Sequence, residues 1–221
     1  MLGVTDNEKI ADFVGLPTSS LEPMIQSKLS ANFNFDNVTL AKMVDVVRRF
    51  YLGDDPIDNS NKQKLINFDS DFYYAHPNQR RISNYMSNGA SALYHYIFSY
   101  DGRRNFGKYK DNISAGGAIH GDELGYLFDI RIMPGNIATN DDLMIDRMTA
   151  MWTNFAKHGN PTPDAVSELL PVIWEPVTSE VLKFLNIGQE LTLDNRPFRR
   201  RLSFWDMFYK LNNKRQVGIN Q

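Results

Sequence analysis

Cysteine is absent from the 221 residues. That excludes disulfide staples, thiol nucleophiles and cysteine–zinc sites within them, and leaves the redox compartment unread. Long apolar runs are absent too, so no segment reads as a bilayer span. An excess of one charge is also lacking. Lys and Arg number 24 against 26 Asp and Glu, a net charge of −2 without a basic stripe, and nucleic acid is not an expected partner. The one basic cluster, Arg199, Arg200 and Arg201 flanked by Arg196, lies among aromatics and is expected to be the solvated face of a helix. No His-Glu-x-x-His or comparable cluster occurs, so neither a metal nor a cofactor is expected. Met1 is followed by Leu-Gly-Val-Thr-Asp, which has no basic or apolar leader region; no signal peptide is visible here.

What is present is a series of helical periodicities around a few strand-like runs. Residues 1–5 read as the end of a strand, 7–13 as a short helix, and 14–39, with Pro17 and Pro23, as irregular. Leu40, Met43, Val44, Val47, Phe50 and Tyr51 recur at helical spacing, predicting a helix over 40–52 that ends before Gly53 and Pro56. A second helix is expected from Asn61, with Leu65, Phe68 and Phe72 on one stripe. It should kink or break at Pro77, resume through Met86 and close at Asn88-Gly89. Residues 92–99 form a nearly continuous apolar run rich in β-formers, as in a strand buried on both faces. Thr139 with Asp142 suggests a capping box for a long helix whose stripe is Met144, Met148, Met151, Trp152 and Phe155, stopped by Gly159 and Pro161. Strand-like pieces follow at 181–187 and 190–193. A last helix carrying Phe198, Leu202, Trp205 and Tyr209 is expected to dock on the sheet. The class is mixed α/β, with too few strands for a complete domain.

Read singly, the chemistry-bearing residues are ambiguous. His120 lies in a glycine-containing loop, and Glu8 alone reads as a first-turn helix acid. Asp122 and Glu123 read as early helix charges, one of which could orient the histidine loop. His95 reads as a core histidine, His76 as a helix-end residue or pocket wall, and His158 as a last-turn cation. The methionine stripe reads as core. Phe68, Phe72, Tyr73 and Tyr74 suit either core or a pocket lining. Two N-glycosylation patterns occur, Asn37-Val38-Thr39 and Asn112-Ile113-Ser114.

Longer motifs resolve part of this. The segment Gly117-Ala118-Ile119-His120-Gly121-Asp122-Glu123-Leu124-Gly125-Tyr126-Leu127-Phe128 is similar to the histidine motif of the type-B carboxylesterase/cholinesterase family. In the same order, Phe98–Arg103 resembles the end of the preceding strand in its insect branch, and Met151–Lys157 with Gly159-Asn160-Pro161 its long late helix. Trp174 with Pro176 matches the segment that follows, and Phe204-Trp205-Asp206 the closing helix. Gly3-Val4-Thr5-Asp6-Asn7-Glu8 resembles the loop presenting the acidic triad member. The resemblance implies that His120 is the general base and Glu8 the acid of a Ser-Glu-His triad. It also implies that residues 1–221 are the C-terminal portion of an α/β-hydrolase domain, an incomplete sheet with packed helices.

Two departures stand out. Lys9 occupies a position where the family usually has glycine, so a rearranged acid loop is expected. The elbow Gly-x-Ser-x-Gly is missing; Gly89-Ala90-Ser91-Ala92-Leu93 comes nearest but lacks the second glycine and falls between acid and histidine. The serine and oxyanion loop are therefore expected upstream, and these residues alone are expected to be inactive. The implied partner is a small apolar ester and the implied location extracellular, with cytoplasmic as the alternative. Two rivals remain at this stage. One is a non-catalytic adhesion or binding protein of the same fold. The other is a truncated remnant, whose strand at 92–99 would expose a sheet edge.

Overall fold

The computed structural model describes residues 1–114, 116–133 and 139–217. In chain order the elements are β1 (Leu2–Thr5), α1 (Ile10–Phe13), α2 (Thr18–Leu21), α3 (Met24–Asn32), α4 (Asn37–Tyr51), α5 (Lys62–Ser70), a π-helical turn (Asp71–Ala75) and α6 (His76–Ser87). They continue with β2 (His95–Phe98), α7 (Phe106–Asp111), α8 (Leu124–Leu127), α9 (Thr139–His158), β3 (Lys183–Ile187), β4 (Leu191–Asn195) and α10 (Arg199–Leu211). The chain divides into two units, one of residues 1–11 and 77–199, the other of 12–76 and 200–221.

The first unit holds a four-stranded mixed sheet in the order β1-β2-β3-β4. β1 runs parallel to β2, with Leu2 opposite His95 and Thr5 opposite Phe98. β2 runs parallel to β3, and β3 antiparallel to β4. β2 is therefore an inner strand, in line with the reading of 92–99 as a buried strand and unlike the exposed edge that the truncated-remnant reading implied; among the described residues the end strands are β1 and β4. Its regular part is shorter than the apolar run, although Tyr94 O still accepts from Leu2 N and Leu93 O from Val177 N. Phe98, Leu185, Ile187 and Trp174 are buried beside Met144, Met148 and Met151, so the methionine stripe is core. α9 ends at His158, where Gly159 takes a left-handed φ of 68°. The capping box proposed for Thr139 lies outside the described side chains. His95 is a core histidine: its Nε2 lies 3.2 Å from the side-chain amide of Asn78, and burial lowers its pKa to about 4.

The second unit is helical. The stretch 14–39 is not irregular, because Pro17 and Pro23 stand at the N-caps of α2 and α3, where a fixed φ and a missing N–H cost nothing. α4 starts at Asn37, three residues before its apolar stripe, since Asp36 Oδ1 accepts from Thr39 N at 2.8 Å. The π turn widens the helix just before Pro77 and relieves the clash its ring would make with the preceding turn, so of the kink or break expected there no break occurs and the chain is helical again at once.

Trp205 of α10 packs against Phe68, Phe72, Phe204 and Phe208, with ring centroids 5.1–6.0 Å apart. These contacts belong to the helical unit. Phe68 and Phe72 are core; Tyr73 is exposed beneath the ammonium of Lys28. Arg201 departs from its expected solvated role. Its Nε lies 3.0 Å from Oδ2 of the fully buried Asp71, which also accepts from Tyr51 Oη at 2.6 Å.

Candidate functional site

The parallel pairing of β1 with β2 directs both chains toward the same end of the sheet, and the loop after β1 carries Glu8 there. Thr5 N donates to Glu8 Oε1 at 2.8 Å, folding the side chain back over its own turn. Glu8 is buried, 5% exposed. A buried carboxylate needs donors on both oxygens, and this bond satisfies one of them. Lys9 is not among the residues with positive φ. The loop therefore makes no demand here that only glycine could meet, and the rearrangement expected from the departure at residue 9 has no basis in the backbone.

His120 arrives from a different part of the chain. Asn7 N donates to Ala118 O at 3.0 Å, Ala118 N to Asp6 Oδ1 at 2.7 Å, and His120 N to Glu8 O at 3.4 Å, so residues 6–8 and 118–120 are laced together. Gly117 has φ 82°, and a Cβ there would strike the side-chain amide of Asn7. Only glycine suits both demands. From below, Asp122, fully buried, accepts from Ile119 N at 2.7 Å, Lys108 N at 2.9 Å and Asn105 Nδ2 at 2.8 Å. Asp122 is thus the internal brace of the histidine loop.

The two predicted site residues meet. Nδ1 of His120 lies 2.7 Å from Oε2 of Glu8, across 112 positions of sequence. A carboxylate oxygen only accepts, so Nδ1 carries the proton and the neutral ring presents an unprotonated Nε2. The imidazole is 65% exposed although its partner is buried. The Glu8 hydrogen bond raises the pKa of His120 above the ordinary imidazole value, against the opposing effect of burial. Such a ring is oriented, held in one tautomer and able to accept a proton from a group reaching it from solvent.

Glu123 also belongs to the site, more than its reading as a helix charge implied. Its Oε2 is buried without a hydrogen-bond partner among the described residues. Burial first, then the charge of Glu8, raise its pKa, and the nearby His120 opposes this. It lies near Tyr96 of β2, whose phenol is pushed up by burial and by the charges of Glu123 and Glu8. Beside them opens a cavity of about 380 Å³, lined by Tyr96, Leu124, Leu127, Phe128 and Trp152 among others. No local pattern marks Glu123, because a surface acid in a first turn has the same sequence.

The remaining candidates lie elsewhere. Ser91 is exposed in the bend before β2, at the end of the strand opposite the one that leads to Glu8. His76 belongs to the helical unit, with Nε2 3.1 Å from Asp206. Among the described residues no group of three or more His, Asp or Glu could hold a metal ion, and no helix is long and apolar enough to cross a membrane.

Residues 1–205 match the sequence model of the carboxylesterase family. Esterase FE4 of Myzus persicae is 27% identical over 172 residues, 76% of this chain and 30% of that esterase. Bile salt-activated lipase of Rattus norvegicus is 28% identical over 163 residues, 71% of this chain and 25% of the lipase. The crystal structure of juvenile hormone esterase from Manduca sexta superposes with a TM-score of 0.73 at 23% identity, covering 95% of this chain and 40% of that one. The chain thus spans under a third of these curated relatives' length, and the structural likeness assigns it the α/β-hydrolase fold.

Proposed function

The chain belongs to the carboxylesterase family, and we propose that it is the C-terminal portion of a serine esterase domain in which His120 is the general base and Glu8 the acid that orients it. The observation that carries this reading is the 2.7 Å contact between His120 Nδ1 and Glu8 Oε2. A buried carboxylate on one ring nitrogen, with the ring itself exposed, is the arrangement a proton relay requires and one that a binding surface has no need of.

In this reading a serine hydroxyl from sequence outside these residues attacks the ester carbonyl as Nε2 of His120 takes its proton. The imidazolium, stabilised by Glu8, returns that proton to the departing alcohol. Water then attacks the acyl-enzyme with His120 again as base, releasing the carboxylic acid and restoring the serine. Glu123 shapes the field around the pair. The apolar cavity under Tyr96 and Trp152 suits a small apolar ester, and the names of the relatives favour ester substrates. The extracellular location is part of the same proposal.

Aryl-ester hydrolysis tests it in two arms. The 221-residue chain alone should show no turnover above the buffer rate, since it contains no Gly-x-Ser-x-Gly. In a longer product of the same gene that carries the serine, His120→Gln should lower kcat/KM by about 10⁴-fold or more. Turnover by the 221-residue chain, or a longer His120→Gln enzyme that keeps its rate, would overturn the assignment.

A further inference from the structure

We propose that Asn112 is an N-glycosylation site whose first sugar rests on the ring of Tyr109. The pattern Asn112-Ile113-Ser114 has no part in the catalytic pair. α7 stops at Asn112, which takes left-handed angles of φ 52° and ψ 49°. The chain is turned there by two backbone bonds, Asn112 N to Tyr109 O at 3.4 Å and Ile113 N to Lys108 O at 2.9 Å. Asparagine tolerates these angles better than most residues. The turn leaves Asn112 exposed, its side-chain amide without a hydrogen bond among the described residues.

Tyr109, three positions earlier, is 48% exposed and has no ring or cation partner among the described residues. Both residues line one open cleft of about 690 Å³, with Asp101, Arg103, Lys108 and Ser114 as polar neighbours. An aromatic face beside charged and hydroxyl groups offers a pyranose its apolar C–H face contact and partners for its hydroxyls. The second pattern is built differently. At Asn37 the hydroxyl of Thr39 donates to Asp36 Oδ2 at 2.7 Å as part of the α4 cap. The aromatic ring nearest before it, Phe35, is stacked on Phe33 and covered by Arg215. Its platform is already occupied.

The modification requires a lipid-diphosphate-linked oligosaccharide and its transferase. Nδ2 of Asn112 attacks the anomeric carbon, forming the N–C1 bond as the C1–O bond to diphosphate breaks. The lipid diphosphate leaves with the bonding electrons, and the amide nitrogen loses one proton to the transferase. The inference does not depend on the esterase reading; it depends on the chain passing through a secretory compartment.

The test expresses the full chain behind a secretory leader in eukaryotic cells and compares electrophoretic mobility before and after peptide-N-glycosidase F. Both Asn112→Gln and Ser114→Ala should lose one glycan step, the second without disturbing the left-handed asparagine. Enzymatic removal of the glycan should lower the melting temperature by roughly 2–4 °C, the shift one contact produces in a chain of this size, and Tyr109→Ala should abolish that difference. Unchanged glycan number in Ser114→Ala overturns the site. An undiminished melting shift in Tyr109→Ala overturns the platform.

Discussion

Asp122 illustrates how one side chain can decide the shape of a functional loop without touching a substrate. Its two carboxylate oxygens accept from three buried donors, Ile119 N of the histidine loop itself and Lys108 N and Asn105 Nδ2 from the region of α7. Burial raises its pKa while those donors pull it down, so the loop's geometry and the charge of its brace are coupled. Replacing Asp122 by Ala removes the brace and leaves donors facing an apolar hole. The expected cost is about 3 kcal/mol or more by denaturant unfolding. Asp122→Asn keeps the volume and one acceptor and should cost less. Equal stability of wild type and Asp122→Ala would show that the loop is held by something else. This role was only half legible in the sequence. The histidine motif marks the place, but Asp122 and Glu123 are adjacent acids in the same turn, and nothing local distinguishes the brace from the residue beside the His120–Glu8 pair. The difference is made by Asn105 and Lys108, more than a dozen positions away.

At the scale of elements, the helical unit shows where sequence reading succeeds and where tertiary context intervenes. Apolar stripes located α4, α5 and α9, because 3.6-residue periodicity survives in any helix with one buried face. The short helices α2 and α3 were missed. They are entered at Pro17 and Pro23, and proline reads as punctuation whether it opens a helix or prevents one. The π turn was not legible either, since its buried Asp71 is bonded by residues far away in sequence, Tyr51 and Arg201.

Asp71 gives this unit a pH dependence. Burial raises its pKa to about 6 despite the opposing guanidinium of Arg201. A folded pKa above the unfolded value near 4 means that the native state holds the proton longer. Its contribution to stability is therefore complete below about pH 4 and is lost as pH rises through about 6, by at most about 3 kcal/mol. Asp71→Asn should remove that decline. Urea midpoints at pH 4 and pH 7 should move in the variant's favour at the higher value, and a difference between variant and wild type that stays constant with pH would contradict the argument.

For the whole molecule, the family was legible because its motifs carry chemistry at fixed intervals, and the strands were legible as runs at 1–5, 92–99, 181–187 and 190–193. What no single run of residues reveals is the pairing, and the register of β1 against β2 is what aims the Glu8 loop at the histidine. Order along the chain and order in space differ here: the acid enters at position 8, the base at 120, and the fold closes the gap to one hydrogen bond. The raised pKa of His120 gives this bond a stability signature. Its contribution is fully present below the ordinary imidazole value near 6.5 and is lost as pH rises through the raised value. For the proposed enzyme, the same shift places the acid limb of the rate profile above that ordinary value, because only the neutral ring acts as base.

The most direct measurement is an NMR titration of the His120 ring in the wild-type chain and in Glu8→Gln. A pKa above the usual imidazole range in the wild type that drops in the variant, together with loss of the downfield Nδ1 proton signal, is the expected result. An ordinary and identical titration in both proteins would mean that the imidazole and the carboxylate are not joined, and the proton relay proposed for this fold would fail with them.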